Sequence, residues 1–254
     1  MKEAWINIEG DLISLNDTPN LLKELNLMPL FLRRYFERKF IKDIEPPRED
    51  QINYQKDFMR NERILDDNDL SNWLKKNNKT EAEMNKILYD SLSLEIFKKN
   101  QFNSKVERVF LDRKINLDRV SYSLIRVKNK SKAAELFFRL QEEEATFAEL
   151  ASSFSEGIEN ILNGLIGPIE FGKINLQIAE RLRNSTPGQL WPPFELESWW
   201  IIIRAERFFQ ASLNDPMRIR LIDEMYEIWI QEKIVKVIND LDISLVKNQK
   251  DKLI

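Results

Sequence analysis

Apolar residues recur at three- and four-residue intervals from Pro19 to about Arg113. The clearest stripe is made by Leu30, Phe31, Leu32, Tyr35, Phe36, Phe40, Ile41 and Ile44. This spacing puts the side chains on one face of a helix, so it predicts an amphipathic helix packed against a core. Pro46-Pro47 ends that helix because proline cannot continue the helical hydrogen bonding.

Capping boxes mark the start of two further helices. Thr80-Glu81-Ala82-Glu83 opens one, and Thr146-Phe147-Ala148-Glu149 opens another that ends near Phe154. In such a box, the threonine and glutamate side chains bond free backbone N–H groups at the helix start. Separate helices are predicted from about Ser91 to Phe110 and, after the cap Asn214-Asp215-Pro216, along the C-terminal part of the chain.

The pattern changes near residue 119. Arg119–Val127 and Glu197–Arg204 are rich in β-branched and aromatic residues, which predicts two strands. Lys132–Glu143 has helical spacing, and residues 1–16 alternate loosely around Gly10, which predicts a short hairpin or an extended arm. This order of helices, a mixed segment and one long helix predicts an α+β fold.

Turn-forming residues are concentrated in residues 155–195. This segment holds five of the six glycines, Gly157, Gly164, Gly167, Gly172 and Gly188, and four of the nine prolines. Glycine and proline specify tight turns, and binding or catalytic residues are often held on such loops. We therefore take this segment as the first candidate for function.

The composition excludes several kinds of chemistry. The chain has 254 residues, a net charge of −3, no cysteine and no histidine. The absence of both residue types excludes disulfides, thiol catalysis and metal sites built from thiolate or imidazole ligands. The chain has no excess of basic residues that would favour binding to nucleic acid. No motif indicates a metal or cofactor, so we expect none. The N-terminus has no signal-like apolar segment and no run spans a bilayer, so we expect a cytoplasmic protein without membrane contact.

Residues 121–206 resemble the parvulin family of peptidyl-prolyl isomerases. The resemblance is carried by SYSLIRVK, KAAELFFRL, TFAELASSFSEG, NGLIGPIEFG, TPGQLWPPFE and WWIIIRAE, in the family's order and close to its spacing. It implies a domain of order βα2βαβ that binds proline-containing segments and isomerises X-Pro bonds.

The flanking regions resemble SurA/PrsA-type chaperones. A helical N-terminal region containing LSNWLKKNNKTEAEMNKILYDSL and a single long helix after the parvulin segment carry this resemblance. It implies a helical domain at 1–118, a parvulin-like domain at 119–210, a C-terminal helix at 211–245 that packs back on the helical domain, and a frayed tail at 246–254.

The polar part of the family's site is degenerate in this sequence. The first-strand histidine of parvulins aligns with Ser123 and the last-strand histidine with Trp200. The acidic or cysteine position of the loop aligns with Gly157, where the adjacent Glu156 is the partial substitute. The resemblance therefore implies Ser123, Glu156 and Trp200 as the degenerate catalytic positions.

The apolar part of the site is retained in kind. Ile166, Ile174 and Ile178 match the family's leucine, methionine and phenylalanine positions, and Phe194 and Trp200 complete the predicted proline pocket. Core packing explains each isoleucine better when it is taken alone, whereas the matched spacing favours a pocket. Because adjacent strand residues face opposite sides, one ring of Trp199-Trp200 is expected in the core and the other in the cleft.

Two functions stay open. The first is a SurA-like foldase or chaperone that binds unfolded or proline-containing polypeptide and isomerises X-Pro bonds, since rotation about this bond needs neither a nucleophile nor proton transfer. The second is a catalytically inactive parvulin fold that serves as a peptide- or partner-binding module, or as an accessory protein for one client. Enzyme activity and dimerisation through the helical domain are left open.

Overall fold

The computed structural model describes the backbone of residues 4–14 and 17–250, and the side chains of these residues except 4, 5, 12 and 241–250. The chain forms two compact units. The helical unit comprises residues 1–106 and 218–254, and the sheet unit comprises residues 107–217.

The helical unit begins with the predicted hairpin, in which β1 (Ala4–Ile8) pairs antiparallel with β2 (Asp11–Ser14). Residues 1–3 and 15–16 of that prediction lie outside the described residues. The following helices are α1 (Thr18–Glu24), α2 (Met28–Ile41), α3 (Arg48–Asn61), α4 (Asp67–Lys76) and α5 (Glu81–Phe102).

The predicted stripe on α2 is only partly buried. Leu32 is buried, and the Phe36 and Phe40 rings stack at 5.8 Å between centroids, whereas Phe31 and Tyr35 are exposed. The apolar stripe is therefore wider than the face of α2 that packs against the core of this unit.

Helix α5 joins two predicted helices. The capping box at its start is present, with the Thr80 Oγ1 accepting from Glu83 N at 3.2 Å and the Thr80 N donating to Glu83 Oε2 at 2.7 Å. No new helix begins at Ser91, and the Oγ of nearby Ser93 donates to Tyr89 O at 2.8 Å within the helix. Serine signals a helix start only when its side chain is free to cap, and here the helix accommodates it.

The sheet unit begins at the second residue of α6 (Val106–Leu117), a helix that follows a short 3₁₀ turn. Its further elements are β3 (Arg119–Val127), α7 (Lys130–Gln141), α8 (Phe147–Phe154), β4 (Leu165–Glu170), α9 (Leu176–Arg183), β5 (Leu190–Leu196) and β6 (Trp199–Phe209). All strand pairs are antiparallel, in the order β4-β3-β6-β5. The predicted α+β class is confirmed.

Alternate residues of β3 and β6 enter two separate cores. Tyr122 and Leu124 pack with Ile203 on one side of the sheet, together with residues of α9, and we call this side the α9 face. Ile125 and Ile202 pack on the other side with residues of α7 and α8, which we call the α7–α8 face. The sheet thus separates the two cores because strand side chains alternate.

Strand β5 was absent from the predicted order βα2βαβ. It carries Pro192 and Pro193, which lack the N–H group that a central strand needs. The structure places this strand at the sheet edge, where its pairing with β6 shifts register between Trp191 and Phe194. The prolines therefore mark an edge strand.

Helix α10 (Asp215–Lys250) returns the chain to the helical unit. The Trp229 ring centroid lies 5.0 Å from that of Phe40. The Arg33 Nη1 donates to Glu227 Oε2 at 2.9 Å, and the Lys98 Nζ donates to Asp223 Oδ1 at 2.8 Å. The helix continues through the backbone of residues 246–250, the first part of the predicted frayed tail at 246–254. Residues 251–254 and the side chains from residue 241 onward lie outside the described residues.

Within residues 4–14 and 17–250, no helix combines the length and apolar character needed to cross a membrane.

The packing of α10 is tested by two substitutions of the same kind on one helix. Ile230 is 0% exposed and Ile228 is 63% exposed. We expect Ile230→Ala to lower the free energy of unfolding by about 2–5 kcal/mol because it leaves a cavity. The Ile228→Ala control should change it by less than about 0.5 kcal/mol. Denaturant unfolding measures both, and equal losses would contradict this placement of α10.

Candidate functional site

Four side chains of the predicted pocket meet on the α9 face. Ile166 of β4 lies directly opposite Tyr122 of β3. Ile166, Ile174 and Phe194 pack, half-buried, against the cluster that contains the buried Ile178. We call the surface formed by Ile166, Ile174, Ile178 and Phe194 the cleft. Its half-buried members leave apolar area open to a ligand.

Helix α9 supplies one wall of the cleft. The Asn175 side chain caps it by accepting from Gln177 N at 2.9 Å, and Ile178 and Leu182 face the core. The Arg181 guanidinium carbon lies 3.8 Å from the Phe194 ring centroid. A cation over an aromatic face is attracted to the ring electrons, so Arg181 fixes one side of the Phe194 ring.

The two tryptophans of β6 face opposite sides, as predicted. Trp199 packs against the α9-face core, and Trp200 packs against the α7–α8-face core with the Lys130 Nζ 4.8 Å from its ring centroid. The structure therefore corrects the predicted position of Trp200, which does not join the cleft. The residue on the cleft side is Trp199.

Ser123 is also on the α7–α8 face, because it alternates with Tyr122 and Leu124. Its Oγ donates to Glu206 Oε1 at 2.5 Å, and the same oxygen accepts from Arg204 Nε at 2.8 Å. This hydroxyl is thus engaged away from the cleft, which corrects its predicted position.

Glu156 joins the loop to the end of β3. Its backbone N donates to Arg126 O at 2.9 Å, and its exposed carboxylate accepts from Lys128 N at 3.1 Å. Its carboxylate therefore serves the backbone of the loop. The three residues predicted as degenerate catalytic positions are not brought together.

A buried carboxylate that the sequence analysis missed lies nearby. Glu159 is only 4% exposed. It accepts from Arg126 Nε at 2.8 Å and from the Ser155 hydroxyl at 2.6 Å, and it also bonds the Arg126 Nη2. The Ser155 hydroxyl in turn accepts from Arg126 N at 3.0 Å. Two hydrogen-bonding partners thus compensate for the burial of this charge.

The Arg126–Glu159 pair explains the glycine at 157. A Cβ on Gly157 would overlap Arg126 Nε and Glu159 Oε2. The space that a side chain at 157 would fill is therefore taken by an ion pair from two other positions. The carboxylate that lies beside Gly157 is that of Glu159, whereas the Glu156 carboxylate accepts from Lys128 N.

The ionisation of Glu159 reflects two opposed effects. Burial opposes its charged form, but the hydrogen bonds from Arg126 and Ser155 outweigh it and hold the pKa of Glu159 below its usual range. The same pair raises the pKa of Arg126. Both groups are therefore charged at neutral pH.

Tyr122 is a second residue that the sequence analysis missed. It is 6% exposed on the α9 face. Burial raises its pKa to about 12, and the nearby Glu159 charge adds to the increase. Its hydroxyl is therefore protonated at neutral pH.

In the described part of the chain, no group of acidic side chains could hold a metal ion.

The contribution of the Arg126–Glu159 ion pair to stability is tested by replacing one glutamate at a time with glutamine. Above the ordinary glutamate pKa of about 4.3, the lowered folded-state pKa of Glu159 contributes stability, which is lost as the pH falls through that lowered value. We expect Glu159→Gln to lower the free energy of unfolding at pH 7 by about 1–3 kcal/mol. It should also flatten the acid side of the stability profile.

The matched control is Glu156→Gln, since Glu156 is exposed and close in sequence. It should leave both the stability at pH 7 and the acid profile nearly unchanged in denaturant unfolding. A profile that responds to Glu156 and not to Glu159 would refute this assignment.

Residues 121–207 match the family model described as Rotamase, a PPIC-type PPIASE domain. No curated protein matches the sequence.

Several solved structures are similar to this chain. PrsA from Bacillus cereus has 18% identity and a TM-score of 0.47, with 92% of each chain covered. A SurA-like chaperone from Campylobacter jejuni has 16% identity and a TM-score of 0.36, with 96% of this chain and 97% of that chain covered. The parvulin domain of PpiD from E. coli has 23% identity and a TM-score of 0.33, with 39% of this chain and 95% of that one covered.

The family match spans β3 to β6, the elements that carry the cleft, and it confirms the resemblance found in the sequence. Residues 121–207 therefore belong to the PPIC-type peptidyl-prolyl isomerase family and form a parvulin domain.

Proposed function

We propose that the cleft binds polypeptide segments that contain an X-Pro bond, and that the domain isomerises this bond. The observation that carries the proposal is the meeting of Ile166, Ile174, Ile178 and Phe194 on one face of a PPIC-type domain. A proline ring is apolar and rigid, so it matches a small apolar surface of this kind.

Isomerisation in such a cleft rests on desolvation. The barrier to rotation about a peptide bond is about 18–20 kcal/mol, and uncatalysed X-Pro bonds interconvert in about tens to hundreds of seconds. An apolar surface that removes water from the amide favours the twisted state, in which the amide dipole is reduced. No proton transfer is required, so the loss of both family histidines leaves this route open.

The second candidate is a binding module without catalysis. It is supported by the positions of Ser123, Glu156 and Trp200, none of which contributes a polar group to the cleft. In this case, the domain holds proline-containing segments, or one dedicated partner, and leaves the rate of isomerisation unchanged.

We extend the proposal to the helical unit as a second surface for unfolded polypeptide. A groove of about 830 Å³ lies there, with the apolar residues Ile41, Ile44, Ile87 and Leu94 in its lining. We expect this groove to bind unfolded polypeptide with low sequence specificity, because binding would rest only on the burial of the polypeptide's apolar side chains. Association of two chains through this unit stays a prediction.

A protease-coupled isomerisation assay separates the two candidates. We expect the 254-residue chain to speed the cis-to-trans conversion of chromogenic tetrapeptides with different residues before proline. Peptide binding with no rate above background would assign the domain to the second candidate, and no binding to any of them would refute both.

The cleft itself is tested with Ile174→Asp. A carboxylate at this half-buried apolar position should weaken binding of a fluorescent X-Pro peptide by at least about tenfold, because an apolar ring would then contact a charge. The matched control is Phe138→Asp, at an exposed phenylalanine on α7. It should leave binding unchanged. Unchanged affinity for the Ile174 variant would place binding elsewhere, with the groove of the helical unit as the next surface to examine.

A further inference from the structure

Tyr122 combines a buried ring with a hydroxyl that is unbonded within the described part of the chain. The residue is 6% exposed, yet among the described residues its hydroxyl has no hydrogen-bond partner. The hydroxyl oxygen is not one of the fully buried polar atoms that lack a hydrogen-bond partner. Part of this oxygen is therefore exposed to solvent. A buried ring thus carries a hydroxyl that opens to the outside. Since buried polar groups are normally bonded, this hydroxyl is free for a ligand.

The position of Tyr122 is fixed by strand pairing. It lies directly opposite Ile166, the β4 member of the cleft, and both belong to the α9-face cluster. Side chains of directly opposed residues are neighbours across a sheet. The Tyr122 side chain therefore lies next to Ile166, on the face of the sheet to which the proline ring is assigned.

The Arg181 guanidinium lies over the Phe194 ring, and its Nη1 donates to Gln177 O at 2.9 Å. Three further donors are engaged in the fold or lie further along the sheet. Arg126 is bound to Glu159, and the Trp191 Nε1 donates to Ser185 Oγ at 2.7 Å. Trp199 pairs with Leu196, whereas Tyr122 pairs with Ala205 further along β6. Tyr122 is thus the donor next to Ile166.

An X-Pro bond needs a donor of this kind. Proline has no backbone N–H, so the bond offers a carbonyl acceptor and no donor. When an apolar cleft takes this carbonyl out of water, the acceptor stays unsatisfied unless the protein supplies a hydrogen bond.

We propose that the Tyr122 hydroxyl donates a hydrogen bond to the carbonyl oxygen of the residue before proline in a bound segment. This inference rests on the proposed function and names the polar contact of the same site. Because burial and the Glu159 charge keep the pKa of Tyr122 at about 12, its hydroxyl retains the proton that this bond requires at neutral pH. Tyr122 thereby favours an X-Pro bond over an apolar side chain of similar size.

The test is a cycle of two proteins and two peptides. The proteins are the 254-residue chain and its Tyr122→Phe variant, which keeps the ring and removes the hydroxyl. The peptides are a fluorescent Ala-Pro peptide and the same peptide with sulfur in place of the alanine carbonyl oxygen, since sulfur is the weaker acceptor. We expect Tyr122→Phe to weaken binding of the oxygen peptide by about two- to tenfold. It should change binding of the sulfur peptide much less.

A matched control separates this contact from a general effect of losing a hydroxyl. Tyr35→Phe makes the same change at an exposed tyrosine of α2 in the helical unit. It should leave the affinity for both peptides unchanged. Thermal unfolding of the Tyr122 variant should resemble that of the unchanged protein, because the hydroxyl has no partner in the fold.

The outcomes distinguish the inference from the function on which it rests. Suppose that the unchanged protein binds the oxygen peptide. If the Tyr122→Phe variant then binds this peptide equally well, or if its affinity falls by the same factor for both peptides, the Tyr122 contact is refuted and the proposed binding in the cleft stands. If the unchanged protein binds no peptide of a set with apolar, acidic and basic residues before proline, the proposed function is refuted together with the contact.

Discussion

Strand β3 lies between β4 and β6 in the sheet. Its successive side chains point alternately into the two cores on opposite faces of the sheet. Both sides of the strand are closed by apolar packing, so its register is strongly specified. A slip by one residue would move Tyr122 and Leu124 to the α7–α8 face and Ile125 to the α9 face. The cleft, the two cores and the separation of Trp199 from Trp200 all depend on this alternation.

The charge of Glu159 imposes a second constraint on the parvulin domain. A carboxylate as buried as this one is stable only with close partners, and Arg126 and Ser155 provide them. These three side chains use the volume beside Gly157 and attach the loop after α8 to β3. The parvulin domain therefore holds an internally compensated ion pair beside Gly157. The cleft itself is formed by apolar side chains, with the Arg181 guanidinium over the Phe194 ring.

The helical unit is built from two separated parts of the chain. Arg33 and Glu227 are 194 residues apart in sequence, yet they share two hydrogen bonds. The parvulin domain lies between these parts in the chain. The helical unit is thus complete only when α10 has been added, and contacts of such long sequence separation form late because loop closure must come first.

Local signals in the sequence determined much of this protein. The threonine–glutamate boxes at Thr80 and Thr146 act within four residues, so their helix starts were predicted correctly, and the matched spacing of three isoleucines predicted a common surface. The edge position of the strand with Pro192-Pro193, and the faces taken by Ser123 and Trp200, depend on register with other strands, which a single segment does not contain. The Arg126–Glu159 pair joins residues 33 positions apart. Only the tertiary structure decided these features, because burial and charge compensation are set by neighbours in space.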